Sequence, residues 1–92
     1  MKIYIPTPLR QYAEKNSVVD VPGVTVADAL DNLTRKYPDL RQNIFTAEGK
    51  VRAFVNVYLN DEDVRYLEKK EKAPVKDSDA ISIIPSIAGG AR

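Results

Sequence analysis

A single amphipathic helical segment, with β-rich runs on both sides, dictates the kind of core that this chain can build. Thr25 and Asp28 have the spacing of a capping box, in which each side chain can bind a free amide of the first helical turn. Pro38 stops the helix because proline cannot continue it. One such helix covers one face of one sheet, which predicts a single core. Its apolar residues recur every three or four positions on one face: Val26, Ala29, Leu30, Leu33 and Tyr37.

The β-rich runs alternate apolar and polar residues, as half-buried strands do, and turn residues separate them. The first two runs form a predicted hairpin joined by a loop at residues 11–16, and one extra turn at residues 39–45 follows the helix. The predicted order is therefore β-β-α-β-β-β. The predicted strands are residues 2–6, 17–21, 51–59, 64–66 and 80 to about 87.

This order predicts an α+β fold, a mixed sheet of about five strands with one main helix across one face. A right-handed crossover through the helix would place the third strand parallel to the first. A ferredoxin-like fold would need a second helix, and its candidate at residues 66–72 has no apolar stripe and stops at Pro74. A small barrel is the other alternative. The predicted core consists of Val19, Val21, Val26, Leu30, Leu33, Val55, Val57, Ile81 and Ile83.

The absence of cysteine and histidine removes most of the usual catalytic and metal-binding chemistry. The chain lacks thiol nucleophiles, disulfides, iron–sulfur ligands and zinc sites of the usual kinds. The commonest general base is missing as well. Carboxylate-only sites remain open, but adjacent acids such as those at residues 61–63 more often solvate a turn than hold a cation. We therefore expect a binding or carrier module, not an enzyme, with no cofactor and no bound metal.

Charge and hydropathy restrict the partners in a similar way. With 14 basic and 13 acidic side chains, the net charge of +1 provides no bulk attraction to nucleic acid or to acidic lipid. No apolar run is long enough to span a bilayer, and the first ten residues lack the long apolar stretch of a signal peptide. We expect a cytoplasmic protein that binds neither nucleic acid nor membranes.

Three stretches of the sequence resemble one family in content, order and spacing. They are F-V-N-V-Y-L-N-D-E-D-V-R at residues 54–65, V-K-D-S-D-A-I-S-I-I-P at residues 75–85 and A-G-G at residues 88–90. Together they resemble the MoaD/ThiS family of ubiquitin-like sulfur carriers, although Ser78 stands where that family usually has glycine. The resemblance implies a ubiquitin-like β-grasp domain over residues 1–87 and a flexible diglycine tail over residues 88–92.

The resemblance also implies a sulfur carrier that works through Gly90, with Gly89 before it. An adenylyltransferase similar to the ubiquitin-activating enzyme would adenylate the Gly90 carboxylate, and sulfur would then replace the adenylate to give a thiocarboxylate. The favoured sulfur acceptor is a pyridoxal-phosphate cysteine synthase, in cysteine biosynthesis. Molybdopterin and thiamine biosynthesis are the other routes. The alternative function is a ubiquitin-like modifier that is joined through Gly90 to protein lysines.

Two residues follow the diglycine, whereas the simplest family members end at the second glycine. Gly90 has no free carboxylate while its carbonyl belongs to the peptide bond with Ala91, so we expect the chain to be an inactive precursor. The resemblance implies that a JAMM-type zinc metalloprotease removes Ala91 and Arg92. Glycine has no side chain and adopts conformations closed to other residues, which suits a tail that threads into narrow sites.

Outward-facing apolar residues on the sheet form the predicted partner-docking face. Scattered exposed apolar residues need no explanation, but a patch on neighbouring strands more often marks an interface. The resemblance implies that activating enzymes and other partners dock there. Three arginines, Arg10, Arg52 and Arg65, are candidates to flank this face and contact acidic groups of a partner. The predicted docking residues are Phe54, Tyr58, Ile84 and Ile87, with Tyr4 on the same face.

Overall fold

A computed structural model describes residues 1–85, and its elements follow the predicted order. The sheet is built from β1 (Lys2–Tyr4), β2 (Val18–Asp20), β3 (Val55–Leu59), β4 (Glu62–Asp63) and β5 (Ala80–Pro85). The main helix is α1 (Val26–Lys36), and the short helix α2 (Arg41–Ile44) follows it. Turns of 3-10 helix cover Thr7–Ala13, Pro38–Leu40, Val64–Tyr66 and Lys70–Lys72.

The five strands form one mixed sheet in the order β2-β1-β5-β3-β4. Only β1 and β5 are parallel, and every other neighbouring pair is antiparallel. The expectation that the third strand runs parallel to the first is wrong. The crossover through α1 leaves from β2, which is antiparallel to β1, so β3 runs in the direction of β2 and against β1. The fold is the predicted α+β β-grasp.

The helix begins at the predicted cap, with one difference in its hydrogen bonds. The hydroxyl of Thr25 accepts from the Asp28 amide at 3.1 Å, as in a capping box. The Asp28 carboxylate accepts from the amide of Val24 at 3.0 Å, not from that of Thr25. Aspartate is shorter than the usual glutamate, and here the reciprocal bond goes to the preceding residue.

The predicted core is confirmed. Ile81 and Leu30 are fully buried, and Val57 is 3% exposed. Further apolar side chains join this cluster from the segments before and after the helix, including Leu9, Leu40, Ile44 and Val64. The predicted core residues are all buried: Val19, Val21, Val26, Leu30, Leu33, Val55, Val57, Ile81 and Ile83.

Several predicted boundaries are wrong, and local hydrogen bonds explain why. The third strand begins at Val55, not at residue 51, because Val51 pairs with Phe45 in an isolated bridge and the Val55 amide closes a turn on the Arg52 carbonyl. The fourth strand is Glu62–Asp63. Residues 64–66 form a 3-10 turn instead, capped by the Asp63 side chain. The loop predicted at residues 11–16 is partly the 3-10 helix Thr7–Ala13.

Candidate functional site

The sheet face that carries the polar and exposed side chains contains one row of residues across all five strands. Tyr4 of β1 lies opposite Val18 of β2 on one side and opposite Ser82 of β5 on the other. Ser82 in turn lies opposite Tyr58 of β3, and Tyr58 lies opposite Asp63 of β4. Directly opposed residues place their side chains on the same face, so these five residues form one row on the face away from α1, in which Asp63 at the β4 edge is itself buried. We call this row and the residues beside it the outer face.

A second row of the outer face lies nearer to the end of β5. Asn56 of β3 lies opposite Ile84 of β5, and the Ile84 side chain is 47% exposed. Phe54, in the turn before β3, is 62% exposed, and Tyr4 is 44% exposed. The residues between the two rows point the other way, because Val57 and Ile83 are buried in the core. The structure therefore places Phe54, Tyr58 and Ile84 at the predicted sheet surface, while their role in docking stays a prediction.

The predicted chemistry lies beyond the described part of the chain. Ile87, Gly89, Gly90 and Ala91, together with the predicted boundary between domain and tail at residues 87 and 88, lie outside residues 1–85. The last described residue, Pro85, lies opposite Val55 at the start of β3. The described part of the chain therefore ends at the side of the sheet where Phe54 and Ile84 are exposed.

Asp63 and Arg65 form a pair at the β4 edge of the outer face that the sequence analysis missed. The Asp63 carboxylate, only 7% exposed, accepts from Nη2 and Nε of Arg65 at 2.8 and 3.2 Å. It also accepts from the Arg65 amide at 2.9 Å and so caps the 3-10 turn. The spacing D-x-R after a strand is the signal that could have identified this pair.

These contacts hold both groups in their charged forms. The side-chain hydrogen bond from Arg65, and then the bond from its backbone amide, lower the pKa of Asp63 below its usual value. The hydrogen bond with Asp63 and the negative charge of that carboxylate in turn raise the pKa of Arg65. The pair is therefore a permanent ion pair beside Tyr58 at neutral pH.

The other two candidate arginines have different surroundings. Nε of Arg10 donates to the carbonyl of Ile5 at 3.0 Å, on the connection between β1 and β2. Nε of Arg52 donates to the carbonyl of Gln42 at 2.6 Å and ties the turn before β3 to α2. Of the three candidates, Arg65 is the one whose ion-pair partner belongs to the outer row.

The turn after β3 is shorter than predicted, because Asn60 and Asp61 form it, whereas Glu62 and Asp63 belong to β4. Asn60 adopts a φ of 57°, in the left-handed region that asparagine tolerates. Its amide group donates to Asp79 at 3.2 Å, and its side-chain oxygen accepts from the Ala80 amide at 3.1 Å. The Asp79 carboxylate also accepts from the Lys76 amide at 2.8 Å. This bond, and then the bond from Asn60, lower the pKa of Asp79. The turn is thereby tied to the start of β5.

Residues 1–85 offer neither a membrane-spanning helix nor a cluster of metal ligands. In this part of the chain, no helix is long and apolar enough to cross a membrane. Within the same range, no group of three or more acidic side chains is arranged to hold a metal ion.

A family model, a protein sequence and a solved structure all resemble this chain over nearly its whole length. The model of the ThiS family matches residues 3–90. The sulfur carrier protein CysO of Mycobacterium bovis is 33% identical over 90 residues, which are 96% of each chain. A chain of the Amycolatopsis orientalis BexX/CysO complex superposes with a TM-score of 0.85 at 36% identity, covering 97% of this chain and 98% of that one.

A second group of similar proteins consists of archaeal modifiers. The small archaeal modifier protein SAMP1 of Methanosarcina acetivorans superposes with a TM-score of 0.83 at 32% identity, covering 97% of this chain and 94% of that one. The matches extend over nearly the full length, and the ThiS match includes both glycines of the tail. The chain belongs to the ThiS family of small ubiquitin-like proteins, and it is a sulfur carrier of the MoaD/ThiS type, not an enzyme.

Proposed function

We propose that the protein carries sulfur as a thiocarboxylate on Gly90, after Ala91 and Arg92 have been removed. In the first step an oxygen of the Gly90 carboxylate attacks the α-phosphorus of ATP, and pyrophosphate leaves. In the second step a sulfur nucleophile attacks the acyl carbon and AMP leaves. The carrier supplies only the carboxylate, so the absence of histidine and cysteine from the chain is no obstacle.

The observation that carries this proposal is the continuity between the outer face and the tail. Ile84 is exposed on β5, and Pro85, the next residue, leads into residues 86–92. An enzyme bound to the outer face would hold the domain directly beside the origin of the tail. At about 3.4 Å per residue, an extended segment of residues 86–90 would carry the Gly90 carboxylate roughly 17 Å into the enzyme.

The partner in the first step is an adenylyltransferase similar to the ubiquitin-activating enzyme, docked on Phe54, Tyr58 and Ile84, with Ile87 at the border of the tail. Exposed aromatic and aliphatic side chains on adjacent strands are the kind of surface that a protein partner buries. The likeness to a chain of the BexX/CysO complex supports a carrier that works while bound to another protein.

The removal of Ala91 and Arg92 requires a protease that accepts a thin, extended segment. A JAMM-type enzyme holds a zinc ion with an open position that activates water for the attack on the Gly90 carbonyl. Gly89 and Gly90 lack side chains that would obstruct a narrow channel. The sulfur acceptor that we favour is a pyridoxal-phosphate cysteine synthase, because the match to CysO extends over nearly the whole chain. Molybdopterin and thiamine biosynthesis remain the other routes.

A second candidate function is protein modification through the same residue. The likeness to SAMP1, at 32% identity, supports it. The Gly90 adenylate would be attacked by a lysine amine, with AMP as the leaving group, to give an isopeptide bond. Both functions share the adenylate and differ in the nucleophile that consumes it.

The decisive experiment compares two forms of the protein, one ending at Gly90 and one ending at Arg92. Each form is incubated with ATP, the activating enzyme and a sulfide source, and intact-mass spectrometry follows the exchange of one oxygen for sulfur. We expect sulfur only on the form that ends at Gly90. Sulfur on the longer form, with Ala91 and Arg92 still attached, would refute Gly90 as the carrier residue.

Mass spectrometry of the protein recovered from its native cells distinguishes the two candidate functions. A sulfur carrier yields a species ending at Gly90 with one oxygen replaced by sulfur. A modifier yields branched peptides in which a lysine of another protein bears the tail. An inert tail would yield neither product and would contradict both functions.

A further inference from the structure

We infer that Arg65, held in place by Asp63, is a specificity-determining cation that pairs with an aspartate or glutamate of the activating enzyme. The inference rests on the proposed function, because it assumes that the enzyme docks on the outer face. The contact between Arg65 and the acidic residue would lie at the rim of that face.

The location of Arg65 follows from the pairing of the strands. Asp63 lies opposite Tyr58 across β3 and β4, so its carboxylate is at the edge of the outer row. Arg65 is bound to that carboxylate through Nη2 and Nε, yet its side chain remains 55% exposed. The guanidinium group is therefore at the border between the apolar surface and solvent, where the polar rim of an interface belongs.

The geometry leaves part of the guanidinium group available for a partner. Arginine has five N–H donors, and Asp63 accepts from only two of them. The remaining donors of Arg65 make no hydrogen bond to another residue in the range 1–85. The two-point contact with Asp63 holds the plane of the group, so a second acid would bind with a smaller loss of side-chain entropy than at a free arginine.

The position also indicates that the partner group is a carboxylate of the enzyme and not a phosphate of its ATP. The ATP must lie where Gly90 is adenylated, at the far end of the tail. Tyr58 is three residues along β3 from Val55, which lies opposite Pro85, so it is about 10 Å from the origin of the tail. At Pro85 the chain is running away from Tyr58, since β5 is antiparallel to β3. A docked protein surface is thus the group within reach of Arg65.

The test uses ATP–pyrophosphate exchange by the adenylating enzyme of the source organism, with the protein ending at Gly90 as its substrate. Arg65→Gln is compared with Arg35→Gln, which removes the same charge from an exposed ion pair elsewhere on the surface. Arg35 binds Asp31 at 3.1 Å on the exposed surface of α1, away from the sheet. Both variants lower the net charge equally, so a difference between them reports the location of the charge.

We expect Arg65→Gln to raise KM roughly tenfold with little change in kcat, the loss typical of a hydrogen bond to a charged group. The dependence of kcat/KM on salt between about 0.05 and 0.5 M should also weaken, because a steering charge at the rim is gone. Arg35→Gln should retain the wild-type KM and salt dependence.

The double variant Asp63→Asn/Arg65→Gln separates this contact from a purely internal role. If Arg65 serves only to neutralise the buried Asp63, the double variant recovers the wild-type KM, since no unpaired carboxylate remains. If Arg65 binds the enzyme, the double variant retains the raised KM. Recovery in the double variant, or equal behaviour of Arg65→Gln and Arg35→Gln, would overturn the inference.

Ile84→Asp in the same assay separates failure of this inference from failure of the proposed docking face. Loss of exchange with Ile84→Asp together with a wild-type KM for Arg65→Gln would overturn only the role of Arg65. Wild-type exchange by Ile84→Asp would overturn docking on the outer face itself, and the assignment of Arg65 with it.

Discussion

Val57 of β3 lies directly opposite Ile83 of β5, and both side chains are buried in the core, whereas the next pair along the same ladder, Asn56 and Ile84, faces outward. One ladder therefore supplies both the stability of the domain and its exposed surface. Because the two sets of side chains lie on opposite faces of the sheet, we expect substitutions in one set to affect folding and substitutions in the other to affect binding.

The first prediction concerns the core. Leu30→Ala removes a fully buried side chain and should lower the free energy of unfolding by about 2–5 kcal/mol through lost burial and cavity formation. Val24→Ala, at a side chain that is 72% exposed, is the control and should change it by no more than about 0.5 kcal/mol. Urea denaturation of both variants measures the difference. Equal stability of the two would contradict the role of Leu30 in the core.

The second prediction concerns the outer face. Ile84→Asp should leave the melting temperature nearly unchanged, because Ile84 is already half exposed, but should abolish ATP–pyrophosphate exchange with the activating enzyme. A charge at the centre of an apolar contact would have to be desolvated without a partner. Val24→Asp introduces the same charge at an exposed position before α1 and should remain fully active. A variant at Ile84 that is activated as well as wild type would refute docking on this face.

The third prediction concerns the tail. Gly89→Val should impair both proteolytic trimming and adenylation, because a β-branched side chain widens and stiffens the segment. The melting temperature should not change. Trimming is followed by intact mass in the longer protein, and adenylation by exchange in a protein already ending at Gly90. If Gly89→Val is adenylated normally in the shorter form, the tail needs no such thinness and that part of the proposal is wrong.

The fourth prediction is a pH dependence that comes from Asp63. Arg65 lowers the pKa of this carboxyl in the folded protein, so its ionised form contributes stability. That contribution is complete above the ordinary aspartate pKa of about 3.9 and is lost as the pH falls below it, through the lower pKa of the folded state. The free energy of unfolding of wild type should therefore decline below about pH 4.

The check on this prediction is the acid limb of the stability curve. Asp63→Asn should be less stable than wild type at neutral pH and should show a shallower decline in acid. Asp79 also has a lowered pKa, from its bonds with Lys76 and Asn60, so Asp79→Asn should flatten the curve separately. Parallel curves for wild type and Asp63→Asn would contradict the assignment of the acid dependence to this residue.

The fold and the outer face could largely be predicted from the sequence. The spacing of Val26, Leu30 and Leu33 identifies a helix with one buried side, and the Thr25 cap locates its start. The alternation around Val57 and Ile83 predicts which strand residues are buried. These features depend on residues close together in the chain, so a period of 3.6 or 2 reveals them.

The predicted strand boundaries were wrong where hydrogen bonds outside the strand ladder hold the backbone in another conformation. The alternation of apolar and polar residues does not reveal such bonds. Residues 51–54 precede the strongest β-rich run without a turn signal, but Val51 pairs with Phe45, and the strand begins only at Val55. Residues 64–66 are rich in strand formers, yet the Asp63 side chain caps a 3-10 turn there. Propensity alone could not detect these competing bonds.

Local periodicity in the sequence was sufficient to identify the helix and the buried side of β2, β3 and β5, and three motifs pointed to the family to which the chain belongs. The order of the strands, the parallel pairing of β1 with β5 and the row from Val18 to Asp63 became apparent only in the folded chain. The physical reason is that alternation tells which face a side chain occupies but not which strand lies beside it. That choice depends on packing α1 against the whole sheet and on pairing every central strand at both edges.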